Sequence, residues 1–101
     1  MSVIVIGHIT VDPANVQRLW NERAADVESV SADSRTYGAI HHRWAFGDGE
    51  VLIIDEWPDA ESFQKFFDNQ QTIPVLMQAA GVKAPPTFEF YEAKDAAPGT
   101  F

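Results

Sequence analysis

Two short segments, Val3-Ile4-Val5-Ile6 and Val51-Leu52-Ile53-Ile54, are apolar at every position. A strand with one wet face alternates apolar and polar side chains, because successive residues point to opposite faces. An unbroken, mostly β-branched run instead marks a strand buried on both faces. The chain has 101 residues, room for one domain around one core. It must therefore cover both sides of a sheet with little material.

The neighbouring residues supply the other elements. Val3 to Val11 ends at Asp12-Pro13, a capping aspartate followed by a proline suited to the first helical position. Val16, Leu19, Trp20, Arg23, Ala24 and Val27 then recur at helical spacing, predicting one amphipathic helix to about Val30. The polar stretch Ser31 to Thr36 suggests a loop, and Tyr37 to Phe46 a second strand. Asp48-Gly49 between Phe46 and Val51 predicts a type I′ hairpin turn. Val51 to Trp57 forms the third strand. Asp59 caps a second helix carrying Phe63, Phe66, Phe67 and Gln70, interrupted by Pro74, resumed over Val75 to Ala80 and stopped by Gly81. Thr87 to Ala93 alternates as a fourth strand.

The expected fold class is α+β: a ferredoxin-like βαββαβ unit with a four-stranded antiparallel sheet, strands one and three in its middle and both helices on one face. The opposite face needs a cover, which a second copy supplies by forming a dimeric α/β barrel. Residues 1–94 make the single domain and 95–101 a C-terminal tail.

Composition limits the partners. Fifteen acidic against seven basic residues give a formal charge of -8, which repels polyphosphates and argues against nucleic acid. The apolar runs fall far short of the ~20 residues of a membrane helix. Absent cysteines remove thiolate chemistry and disulfides and, with no export signal at Met1-Ser2-Val3, suggest a cytoplasmic protein. No ligand spacing suggests a metal. His41 and His42, adjacent on one strand, point to opposite faces.

The hairpin register places Phe46 opposite Val51, Trp44 opposite Ile53, His42 opposite Asp55 and Ile40 opposite Trp57. This face is the more aromatic and is assigned to the helix side; His41, Arg43, Leu52, Ile54 and Glu56 fall on the dimer side. An imidazole facing a carboxylate among indoles is the arrangement of a base and its orienting partner, although two polar residues near a sheet end can equally do no more than satisfy each other. His8 in the first strand suits a hydrogen-bonded structural histidine. Trp20 and the phenylalanine stripe suit a core.

The segment VLIIDEWPDAESFQKFF, preceded by YGAIHHRWAF, resembles the antibiotic biosynthesis monooxygenase-like family of dimeric α/β barrels, in which an acidic residue and a tryptophan often end the third strand before an acidic-aromatic helix. Glu56-Trp57-Pro58-Asp59-Ala60-Glu61-Ser62-Phe63 fits that pattern, and the likeness runs from about Val3 to Ala93. It implies a cofactor-independent monooxygenase-like activity on a small aromatic or polyketide-like molecule, with His42, Asp55 and Trp57 as catalytic candidates and Trp44, Trp20, Phe67 and Tyr91 around the substrate. The family's haem-degrading branch also has a tryptophan where Trp57 stands, but its first-strand asparagine is replaced by Val5 or Ile6 and residues 64–80 lack its histidine, so no cofactor is implied. The competing reading is a non-catalytic dimer that binds a small apolar ligand or a protein partner.

Overall fold

The computed structural model describes residues 1–96 and 98–101. Along the chain it runs β1 (Val3–Thr10), α1 (Pro13–Glu22), α2 (Ala24–Thr36), β2 (His41–Phe46), β3 (Glu50–Trp57), α3 (Ala60–Asn69), α4 (Thr72–Ala80) and β4 (Thr87–Glu92). The strands form one antiparallel sheet in the order β2-β3-β1-β4. The ferredoxin-like arrangement follows, with the two all-apolar strands in the middle, where each has neighbours on both sides.

The predicted first helix is two. The chain leaves helical geometry at Arg23 (φ -128°, ψ 43°), whose N–H still reaches Leu19 O at 2.7 Å. Neither glycine nor proline marks this break, so the residue types gave no sign of it. The expected loop over Ser31 to Thr36 is helical. The apolar period fades after Val30, but Ser31 and Ser34 continue the same helical face with small polar side chains. Ser34 and Thr36 donate their hydroxyls to Ser31 O and Ala32 O, which lets such residues sit inside a helix.

Pro74 does not interrupt a helix. It lies in the first turn of α4, where its missing N–H has no helical partner to lose. Gly81 ends α4 with φ 81°, and the N–H of Val82 returns to Met77 O at 3.0 Å. The caps fall where expected: Asp12 accepts from Ala14 N at 3.0 Å and Asp59 from Ser62 N at 2.7 Å. The hairpin keeps the expected register but not the expected turn. Only Gly49 has positive φ (69°) while Asp48 stays in the ordinary half of backbone space, so the turn is not type I′. Gly47 N–H to Glu50 O at 2.8 Å holds the pairing.

All four helices cover one face of the sheet. Val5, Val51 and Trp57 beneath them are fully buried. Two apolar clusters form there: one joins β1 and β3 to α1 and the end of α4, the other packs Val5 and Trp57 against Phe63 and Phe66. Ile4, Ile6, Leu52 and Ile54 point the other way and remain half-buried. Between the clusters sits Gly7. A methyl group there would come within 2.9 Å of the Phe88 ring, so the glycine admits that ring and leaves β1 without a side chain at its midpoint.

Candidate functional site

The helix-facing side of the β2–β3 hairpin carries His42 opposite Asp55 and Trp44 opposite Ile53, as the register predicts. Asp55 is the sole buried polar or charged residue among those described, with 7% of its surface exposed. Burial of a carboxylate is tolerated only when its oxygens are bonded. Both are. Oδ1 lies 2.6 Å from His42 Nδ1, and Oδ2 accepts from Trp57 Nε1 at 3.1 Å. Because a carboxylate only accepts, the imidazole proton sits on Nδ1 and the lone pair of a neutral ring on Nε2.

His42 stands at the boundary between interior and solvent, its side chain 38% exposed. Trp44 meets it edge-on, with centroids 5.4 Å apart, and Trp20 meets Trp44 edge-on at 5.5 Å. These residues border a cavity of about 210 Å³ between the sheet and the helices. Its lining is mainly apolar, including Phe63, Phe67, Phe88 and the bare backbone of Gly7; the polar groups are His42, Asp55, Ser31 and Ser34.

Of the residues singled out from sequence, His42, Asp55, Trp44, Trp20 and Phe67 meet around this cavity. Trp57 does not line it. It is fully buried between Phe63 and Phe66, at centroid distances of 5.5 and 5.4 Å, and reaches the site only through its bond to Asp55. Tyr91 is on the other face altogether. Pairing with β1 sets Phe88 and Phe90 inward and Tyr91 outward opposite Ile4, half-exposed, with its hydroxyl donating to Glu89 Oε2 at 3.1 Å. The run TFEFYE is apolar at both parities near its end, which hides the correct face. Sequence reasoning missed Ser31 and Ser34, whose signal was their spacing from Val27 and Val30, and Gly7, whose signal was a glycine inside a strand.

On the open face His8 bridges two strands. Its Nδ1 lies 2.8 Å from Glu50 Oε1 and its Nε2 2.6 Å from Glu89 Oε1. The two carboxylates, Glu50 foremost, raise the His8 pKa above its ordinary 6.5. In return, His8 first and Tyr91 second hold Glu89 below its ordinary value, and Glu89 raises the Tyr91 phenol.

No protein-family model and no curated protein matches the chain. Solved structures do. The fold is similar to that of SnoaB, a cofactor-independent oxygenase from Streptomyces nogalater, with a TM-score of 0.55 at 17% identity, covering 96% of this chain and 97% of that one. A proposed antibiotic biosynthesis monooxygenase from Deinococcus radiodurans superposes with a TM-score of 0.64 at 19% identity, covering 93% and 94%. A protein of unknown function from Nitrosomonas europaea gives 0.64 at 20% identity, covering 94% and 91%. The chain thus has the fold of the antibiotic biosynthesis monooxygenase-like structures. Among the described residues no helix is long and apolar enough to cross a membrane.

Proposed function

We propose that this protein is a cofactor-independent oxygenase acting on a small aromatic molecule. The observation that carries the reading is Asp55, the one buried carboxylate among the described residues, bonded to a histidine that lines an apolar cavity and whose other nitrogen has no partner among those residues. In this reading His42 Nε2 takes a proton from a phenol or an activated C–H group, and Asp55 stabilises the imidazolium that forms. The substrate anion then gives its electrons to dioxygen: one oxygen atom becomes a new carbonyl on the ring, and the other leaves as water with two hydrogens from the substrate. Trp57 is a positioning residue, since its indole N–H fixes the second oxygen of Asp55. Trp44, Trp20 and Phe67 make the walls. The likeness to SnoaB, named a cofactor-independent oxygenase, supports the same chemistry.

The cavity sharpens the substrate class. Its roughly 210 Å³ exceeds the ~150 Å³ that accommodates benzene in an engineered core and falls below the ~300 Å³ floor of drug-sized pockets. One or two fused rings fit better than three. That modest size also favours, as a second reading, a binding module for an apolar ligand without turnover. In both readings a second copy covers the open sheet face, burying Ile4, Ile6, Leu52 and Ile54.

The test is oxygen uptake with a hydroxynaphthalene and with a tricyclic anthrone. The bicyclic compound is expected to turn over faster, and His42→Gln to lower kcat by about 10²–10⁴-fold, the usual range for losing a general base. Binding without oxygen uptake would select the second reading. Equal rates for His42→Gln and the parent would remove the histidine from the mechanism.

A further inference from the structure

Pairing across the sheet brings Trp44, Ile53, Gly7 and Phe88 into one row, since Trp44 lies opposite Ile53, Ile53 opposite Gly7 and Gly7 opposite Phe88. All four border the cavity. His42 and Asp55 stand in the adjoining row on the same face. The row crosses the sheet from one edge strand, β2, to the other, β4, and Gly7 lies two strand spacings, about 10 Å, from Trp44. A ring system held beside His42 and Trp44 that grows across the sheet therefore passes over Ile53 and arrives at Gly7.

The space over Gly7 is taken. A methyl group there would come within 2.9 and 3.2 Å of two atoms of the Phe88 ring, whereas Ile53 would be in ordinary contact at 3.6 Å. Phe88 thus leans from β4 over the bare backbone of β1, and Phe63 and Phe67 hold its ring edge-on at centroid distances of 5.0 and 4.9 Å. Because Gly7 and Phe88 both border the cavity, any volume that this ring gives up joins it.

We propose that Phe88 is the specificity-determining residue of the cavity: its ring, seated on Gly7, stops the site at two fused rings and excludes a third. The inference rests on the reading of the cavity as a ligand site. It assigns the size limit to one side chain, on an edge strand whose backbone pairing with β1 does not depend on that side chain's length.

Equilibrium dialysis under nitrogen with 2-naphthol, which has two fused rings, and anthrone, which has three, tests this without turnover. The parent protein is expected to bind 2-naphthol at least about tenfold more tightly than anthrone, the lower end of what one misfitting methylene costs in an apolar pocket. Phe88→Ala should tighten anthrone binding by at least about tenfold and leave 2-naphthol binding unchanged or weaker. Phe88→Leu, which keeps more of the core packed, should move the preference in the same direction. Adding Gly7→Ala to Phe88→Ala puts a methyl group into the vacated space and should take back the gain for anthrone, a result that general loosening of the core would not give. If the parent binds anthrone as tightly as 2-naphthol, if neither Phe88 variant gains affinity for anthrone, or if the gain survives Gly7→Ala, the proposal is overturned and the cavity reading stands. If the parent binds neither compound, both readings fail together.

Discussion

Two histidines with similar partners are held in different ways. His42 is bonded through one nitrogen to a buried carboxylate; His8 is bonded through both to exposed ones. The first has no second partner among the described residues, as the proposed base requires, while the second is bonded at both nitrogens. The glutamates stabilise protonated His8, so its folded pKa lies above 6.5, and its contribution is complete below that value and fades as pH rises through the folded pKa. Glu89, held low, contributes above its ordinary value of 4.5 and loses its contribution as pH falls toward the folded pKa. Stability should therefore decline from mildly acidic to mildly alkaline pH, and His8→Gln should flatten that decline. Urea midpoints for both proteins at pH 6 and 9 would show it; equal slopes would count against the assignment. Trp57→Phe keeps a ring in the core but leaves Asp55 Oδ2 without its donor. A loss of at least about 2 kcal/mol in urea unfolding is expected from a newly unsatisfied buried acceptor together with lost volume. At this scale the sequence was informative wherever a register could be counted: His42 opposite Asp55 followed from the Asp48-Gly49 hairpin alone. It failed for Tyr91 because Phe88, Phe90 and Tyr91 give β4 no unique apolar face.

The element boundaries were most legible where capping chemistry sets them. Asp12, Asp59 and Gly81 act where expected, because an N-cap carboxylate and a left-handed C-terminal glycine are local requirements that no tertiary contact needs to supply. The break at Arg23 and the continuation of α2 through Ser34 were illegible for the opposite reason, since they depend on how the helix lies over the sheet. The hairpin turn offers an internally controlled test. Gly49 holds φ 69° with nothing within 4 Å of an added methyl group, so Gly49→Ala meets backbone strain alone. It should cost about 1–2 kcal/mol. Gly47 lies outside the positive-φ region, and its methyl would meet only Glu50 O at 3.7 Å, so Gly47→Ala should be nearly neutral. Comparable losses in thermal unfolding of both variants would show that the turn is read incorrectly.

For the molecule as a whole, the two all-apolar strands set the architecture and leave one sheet face half-covered. Covering it with a second copy predicts a dimer by sedimentation at micromolar concentration. Ile54→Lys, on the open face opposite Ile6 and Arg43, should yield a folded monomer; a parent that sediments as a monomer would end that reading. The helix-covered face has a consequence of another kind. A molecule that enters the 210 Å³ between sheet and helices and does not bind the unfolded chain stabilises the fold by an amount set by its affinity and concentration, about 2.7 kcal/mol at a hundredfold excess over Kd. Since each 1 kcal/mol moves the Tm of a domain this size by about 4–8 °C, heating the protein alongside a library of aromatic compounds turns its own melting curve into a test of whether any of them occupies the cavity.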